Sequence, residues 1–164
     1  EVERSRGLGD VYKRQIAHHL VGPYANLVSA DLSGANLSGL NLFGVNMEYA
    51  TLIGTDLSNS DLRYANLKYS TLSNANLTDA DISYAILNHA YLANAILVDA
   101  DLALSELKNA VLTYADLTGA NLAFADLTDA TLVAADLTNV NWSNTICPDG
   151  TYSDNNGDTC ANNT

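Results

Sequence analysis

A leucine, or a close substitute, recurs at every fifth position from Leu27 to Trp142 without a slip, usually two residues after an alanine. Residues 30–37 show the unit twice, Ala30-Asp31-Leu32-Ser33-Gly34 and then Ala35-Asn36-Leu37. The centres give 24 units over residues 25–144, and only Met47, Ile82 and Trp142 among them are not leucine. The position two before each centre is alanine in 17 units, and between the two sits Asp, Asn or Thr in most units. The two positions after the centre are mostly Ser, Thr, Gly, Asn, Asp or Tyr.

A period of five fits neither common template. On an α-helix five steps advance about 500°, so successive leucines would scatter and form no stripe. On a flat strand they would fall on alternate faces. A chain that bends identically once per unit points every Leu and Ala to one axis. Four bends of about 90° close a square coil of 20 residues, and stacked coils pair as parallel ladders about 4.8 Å apart. The fold expected is an all-β solenoid.

The unit resembles the A(D/N)LXX motif of the pentapeptide-repeat family, and the match covers residues 25–144. The resemblance implies a right-handed quadrilateral parallel β-helix of about six 20-residue coils, about 29 Å tall at the strand spacing. It also implies that the centre and the Ala face inward and the other three positions outward. Hydrophobic residues make up 48% of the chain but aromatics only 7%, which suits so thin a core. Each buried Leu stabilises by roughly 1.5–3 kcal/mol. Ala is required beside it because a larger side chain would overpack the tube. No run is long and apolar enough for a transmembrane segment.

The ends depart from the repeat. Residues 1–15 hold Arg4, Arg6, Lys13 and Arg14 and none of the motif. They are too charged for a signal-peptide core and read as a leader that is either adaptor-derived or disordered. Residues 16–24 lead in, with Gly22-Pro23 as a break before the first coil; Pro23 lacks an amide donor and so suits an exposed edge. Residues 145–164 contain the only two cysteines, Cys147 and Cys160, and Cys147 falls on the next central position. This segment resembles a Cys-Pro-Asp-Gly-Thr…Cys tail of some bacterial members of the family, which implies a disulfide and an oxidising compartment. A 13-residue separation is easily closed, at about 3 kcal/mol by chain entropy. Two free thiols are the rival reading; a metal site has too few ligands. Asp154, Asn156 and Asp158 alternate like a calcium loop, but no Glu follows at the twelfth position, so they read as a solvated turn.

Chemistry is scarce. His18 and His19 precede the repeat and His89 takes an outward position. A filled tube offers no concave pocket for a triad, metal or cofactor to converge in. The chain therefore reads as non-enzymatic and without a cofactor. Three N-x-[ST] matches, at Asn36, Asn76 and Asn141, are products of the motif itself.

The surface can be sorted by side, each named for its first centre: Leu27, Leu32, Leu37 and Leu42. Of 13 acidic residues in the repeat, the Leu32 side carries only Asp31. Its outward rows read Asp31, Thr51, Thr71, Tyr91, Val111, Thr131 and Ser33, Ile53, Ser73, Ala93, Thr113, Val133. That is a flat, nearly uncharged strip on a protein of net charge −12. On the Leu42 side Tyr64, Tyr84, Leu104 and Phe124 recur at 20-residue spacing, beside a row of Asp61, Asp81 and Asp101. Each pattern also has a purely local explanation, since Thr and Val favour strands and stacked rings stabilise a ladder.

Three functional readings follow. The first is a structural module, secreted or periplasmic with the cytoplasm as the alternative, that binds a protein or a surface through the strip or the aromatic stack. Weak homodimerisation belongs to this reading. The second comes from the resemblance: some family members are acidic rods that imitate duplex DNA, bind type II topoisomerases and protect them from quinolones. Net charge −12 fits a partner with a basic groove and argues against direct nucleic-acid binding. The chain departs from that group in having no insertion loops and no helix-like dimerisation tail. The third is ice or mineral binding through the Thr-rich face, which Tyr91, Val111 and Ala93 interrupt.

Overall fold

A computed structural model describes residues 21–156 together with 159 and 160. The leader read at residues 1–15, most of the lead-in at 16–24, and His18 and His19 lie outside the described residues.

Parallel pairs join each outward Asp/Asn/Thr position to its counterpart 20 residues on, from Asn26 with Asn46 through Asp126 with Ile146. Four such ladders run side by side, one per side of the coil. None contains an extended strand in the ordinary sense, because each side contributes one bridging residue before the chain turns again.

The turns explain the period. Within every unit the residue after the turn donates its N–H back to the centre, as Ala30 does to the Leu27 carbonyl at 3.0 Å. The second residue after each centre takes a left-handed backbone, with φ between 54° and 71°, at every such position from Tyr24 to Asn144. Gly34, Gly54 and Gly119 suit it, and Asn and Asp tolerate it. Tyr64, Tyr84, Leu104, Phe124 and Ala134 occupy it as well, where a side chain costs about 1–2 kcal/mol. The ladder enforces the conformation, since that residue's N–H must reach the next coil: Tyr84 donates to Ala103 at 3.0 Å.

Each side chain then has a fixed destination. The centres from Leu37 to Leu127 are buried against one axis, with the alanines between them. Where a hydroxyl replaces the alanine it bonds a carbonyl: Thr55 to Leu32, Ser60 to Leu57, Ser70 to Leu67, Ser105 to Leu102. No buried side-chain N or O among the described residues lacks a partner.

The tail folds back over the last coil. Ile146 pairs antiparallel with Tyr152, and Cys147 donates its N–H to the Thr151 carbonyl at 2.7 Å. The buried Ser153 hydroxyl bonds the Trp142 carbonyl, and its N–H reaches the Thr145 carbonyl at 2.9 Å. Cys147 and Cys160 are joined in a disulfide, and both are fully buried. Asp154, read from the sequence as part of a solvated turn, is exposed in a short turn and also caps the ladder: its Oδ1 accepts the Asn144 N–H at 2.9 Å, a donor that no further coil satisfies. The Asn156 side chain and Asp158 lie outside the described residues.

Two outcomes follow from this architecture. Leu77→Asp should unfold the chain, because a centre with no exposure leaves an unpaired carboxylate buried at a cost of several kcal/mol. Thr78→Asp, one residue on and facing outward, should shift stability by no more than about 0.5 kcal/mol. Equal losses in urea melts would contradict the phase. Reduction of the Cys147–Cys160 bridge should add the mass of two hydrogens and lower the melting temperature by several degrees, from about 3 kcal/mol of loop entropy. An unchanged melting curve would deny the tail a part in stability.

Candidate functional site

The outward surface is organised by one backbone group. In each unit of the inner coils four N–H groups have backbone partners. In the unit 75–79, Ala75 bonds Leu72, Asn76 bonds Thr55, Leu77 bonds Ile96, and Asp79 bonds Val98. The fifth, that of Thr78, is left over, and the Asn76 side-chain oxygen accepts it at 3.2 Å. The same cap recurs at Asp56 with Ser58, Asp81 with Ser83, Asp101 with Ala103 and Asp116 with Thr118, at 3.0–3.1 Å. This is the physical reason for the Asp/Asn position in the motif: a short carboxylate or amide satisfies the amide two residues on. Sequence reasoning placed those residues outward and missed their role.

On the Leu42 side every outward unit is capped, from Asn41 to Asn141. On the Leu32 side only Asp31 caps its amide, that of Ser33 at 3.1 Å. Thr51, Thr71, Tyr91, Val111 and Thr131 cap nothing. The amides of Ile53, Ser73, Ala93, Thr113 and Val133 thus have no protein acceptor among the described residues. The strip has open donors in its backbone and uncharged side chains, some of them apolar and exposed: Ile53, Tyr91 and Val133 are 43%, 47% and 55% exposed. All five strip residues stand in one bridged ladder.

The acidic row is less bare than a run of carboxylates suggests. The Arg63 guanidinium donates to both Asp61 oxygens, at 2.9 and 2.8 Å, and lies 3.5 Å from Asp81. The Asn121 side-chain amide donates to Asp101 at 2.9 Å. The row is thus bridged at both ends. The Arg63 hydrogen bond holds the Asp61 carboxyl below the usual carboxylate range, and Asp61 raises the Arg63 guanidinium in return. For Asp126, burial acts upward, but the Thr128 hydroxyl and amide and the Lys108 ammonium at 3.0 Å outweigh it and depress its pKa. Thr138 and Thr151, each by hydroxyl and amide, depress Asp136 and Asp149.

The aromatic stack differs from its sequence outline. Tyr64 and Tyr84 stack at 4.8 Å with 11° between planes. The column continues the other way, through Phe43 at 5.3 Å from Tyr64 and Tyr24 at 5.5 Å from Phe43. Tyr24 lies over Gly44, where an added Cβ would sit 2.8 Å from its ring. Leu104 separates Phe124 from Tyr84, and Phe124 makes no ring contact among the described residues. A second column on the Leu27 side went unread: Tyr49, Tyr69 and His89, stacked at 5.0 and 4.9 Å with 6° between planes. Its signal, a 20-residue spacing of rings, was present in the sequence. In the Tyr49–Tyr69–His89 column the ring faces are spent on one another, whereas in the other column Tyr64 and Tyr84 stack, Tyr24 meets Phe43 edge-on, and the Arg63 guanidinium lies over the Phe43 ring at 5.4 Å.

The sequence model described as Pentapeptide repeats matches in 8 copies, over residues 23–48, 41–79, 75–113, 85–123 and 105–144. No curated protein sequence matches the chain significantly. Among solved structures, the pentapeptide-repeat protein Rfr23 of the cyanobacterium Cyanothece 51142 is similar, with 39% identity and TM-score 0.52 over 52% of this chain and 58% of that one. The chain thus spans a little over half the length of that relative. HetL of Nostoc sp. strain PCC 7120, described as involved in heterocyst differentiation regulation, is 27% identical with TM-score 0.42 over 79% of this chain and 77% of that one. QnrB1, described as a plasmid-mediated fluoroquinolone resistance protein, is 17% identical with TM-score 0.42 over 71% of this chain and 79% of that one.

A pH dependence follows from the carboxylates. Their folded pKa values are depressed, so the stability they supply is present above the unfolded value near ~4 and is lost as pH falls through the lower folded values. Thermal melts should therefore fall below about pH 4. The quadruple Asp61→Asn, Asp126→Asn, Asp136→Asn, Asp149→Asn variant keeps the amide caps and should lose most of that slope. An equal slope in both proteins would show that these groups do not carry it.

Proposed function

This chain belongs to the pentapeptide-repeat family, and from that premise we propose that it is a non-enzymatic binding solenoid, secreted or periplasmic, that meets its partner along the Leu32 side. The β-helix of that family is right-handed and quadrilateral, its interior given over to Leu and Ala. Function is then carried on an outer face. The observation that carries the assignment is the row of uncapped amides between Ile53 and Val133 beside uncharged Thr, Tyr and Val side chains. Donors without acceptors next to exposed apolar atoms are what a contact surface supplies. The buried Cys147–Cys160 bridge supports an oxidising compartment over the cytoplasm.

The acidic-rod reading, with a type II topoisomerase as partner, rests on net charge −12. Two features weigh against it. Arg63 neutralises part of the acidic row, and the aspartates already serve as amide caps. Ice or mineral binding would need a regular Thr face, and Tyr91 and Val111 break the row.

The test compares two sets of outward variants against whatever the wild type retains from an extract of its source organism. Thr71→Glu with Val111→Glu should abolish retention while leaving the melting temperature within a few degrees. Asp61→Asn with Asp81→Asn and Asp101→Asn should retain it. The reverse pattern, with retention weakening steeply in salt and inhibition of topoisomerase supercoiling, would move the assignment to the acidic-rod reading.

A further inference from the structure

The Leu32 side is edged by tyrosine. Tyr49 and Tyr69 end the preceding unit two residues before Thr51 and Thr71, so their stacked column stands at one corner of the strip. Tyr91 lies in the strip itself, and Tyr114 ends its unit at the opposite corner, one coil on. Tyr91 and Tyr114 make no ring contact among the described residues and are 47% and 63% exposed, so their ring faces are open. Along the same side run the uncapped amides of Ile53, Ser73, Thr113 and Val133, with Ala93 buried midway.

The ladder fixes the spacing of those donors. Parallel bridges join Thr51 to Thr71, Thr71 to Tyr91, Tyr91 to Val111 and Val111 to Thr131, so each coil presents one unit, about every 4.8 Å along the rod. An occupant lying along this side must offer oxygen acceptors in nearly the same step. An extended polypeptide turns carbonyls to one edge at every second residue, about 6.8 Å apart, and loses register within two coils. An extended β-linked pyranose chain advances about one ring per coil. Its successive rings turn over, so like oxygens recur against every second coil. Such rings carry hydroxyls at the rim and C–H groups on the faces, which suit open amides and exposed tyrosine rings respectively. Charge narrows the class further. The flanking sides carry Glu48, Glu106 and Asp126 on one hand and Asp56, Asp116 and Asp136 on the other, and the strip holds no Lys or Arg. A polyanion is repelled by such a surface, and a neutral polymer is not.

We propose that the Leu32 side binds a neutral, extended β-linked glycan of the cellulose or chitin type, laid along the rod axis. The inference rests on the functional reading above and names the class of partner. The open amides donate to sugar oxygens, the hydroxyls of Thr51, Thr71 and Thr131 add donors and acceptors beside them, and Tyr91 and Tyr114 cover C–H faces. Each added sugar meets a further coil, so affinity grows with chain length until the strip from Thr51 to Thr131 is covered. With no ion pair at the contact, binding is nearly indifferent to salt.

Calorimetric titration of the full chain with cellobiose, cellohexaose, chitobiose and chitohexaose, at about 50 and 500 mM salt, reads these features. The hexaose of at least one series should bind, its disaccharide should bind roughly tenfold or more weakly, and salt should change neither. Polygalacturonate should not bind. Tyr91→Ala with Tyr114→Ala should weaken hexaose binding by roughly tenfold or more while the melting temperature stays within a few degrees. Thr71→Asn with Thr131→Asn tests the donors without adding charge. Each Asn supplies the cap that the Ser73 and Val133 amides lack, as Asn76 does for Thr78, so the hexaose should bind more weakly while the melting temperature holds or rises. Thr78→Glu on the Leu37 side should bind as the wild type does. Absence of binding by both hexaoses overturns the proposal, as does equal affinity for disaccharide and hexaose, or a preference for polygalacturonate. Asn variants that bind normally overturn the part given to the amides. If no glycan binds but Thr71→Glu with Val111→Glu still loses the extracted partner, this inference fails and the functional reading stands. If neither assay responds, both fail.

Discussion

The rest of the structure depends on how a five-residue unit disposes of its five amides. Three bond the backbone of neighbouring coils or close the turn with little freedom, and a fourth does so only if the residue two after the centre takes φ near 60°. The last has no backbone acceptor at all, and in most units the Asp or Asn two residues earlier accepts it. A buried or half-buried amide without an acceptor costs about 1–3 kcal/mol. Repeated once per unit, that penalty would outweigh the marginal stability of a domain this size. The motif therefore has two requirements of different kinds, an apolar centre for the core and an oxygen-bearing side chain for the spare donor.

The second requirement decides where charge falls. Asp and Asn serve equally well as caps, since either presents an oxygen at the same reach. Asn66 and Asp61 both hold the amide two residues on at 3.2 Å. Net charge can thus vary along a side without any change in fold. Carboxylates one coil apart are then relieved locally. Arg63 bridges Asp61 and Asp81, Lys108 meets Asp126, and Asn76 donates to Asp56. The acidity of this chain is largely a by-product of capping, which weakens any argument from net charge to function.

How much of this was legible in the sequence follows from which interactions are periodic in residue type. The centre is nearly always Leu, so phase, the 20-residue coil and the sorting of sides came from spacing alone. The left-handed position did not stand out, because it holds Gly34 and Asn74 but also Tyr64, Leu104 and Ala134; the ladder imposes that conformation whatever the residue prefers. The capping role was hidden for a different reason: an outward Asp looks the same in sequence whether it is solvated or bonded to the backbone. Arg63 was one basic residue among acids, and only its reach to two neighbouring rows gives it meaning. The Tyr49–Tyr69–His89 column was readable by the same sorting that found Tyr64 and Tyr84. The capping contact of Asp154 was beyond reach, since it depends on where the tail turns back.

The Leu32 side then poses a specific question. If its lack of charge were only an avoidance of carboxylates, Asn in place of Thr51, Thr71 or Thr131 would remove charge and keep the cap. The side instead gives up both, leaving a file of donors open beside Ile53, Tyr91 and Val133. Strand preference accounts for Thr and Val in part, yet the same preference acts on the other three sides, where Ile86 and Ile96 are exceptions among capping residues and not a continuous row. A departure repeated along one face and only isolated on the others is the kind that contact with another molecule would offset, because the partner can supply the acceptors that the chain itself has left out.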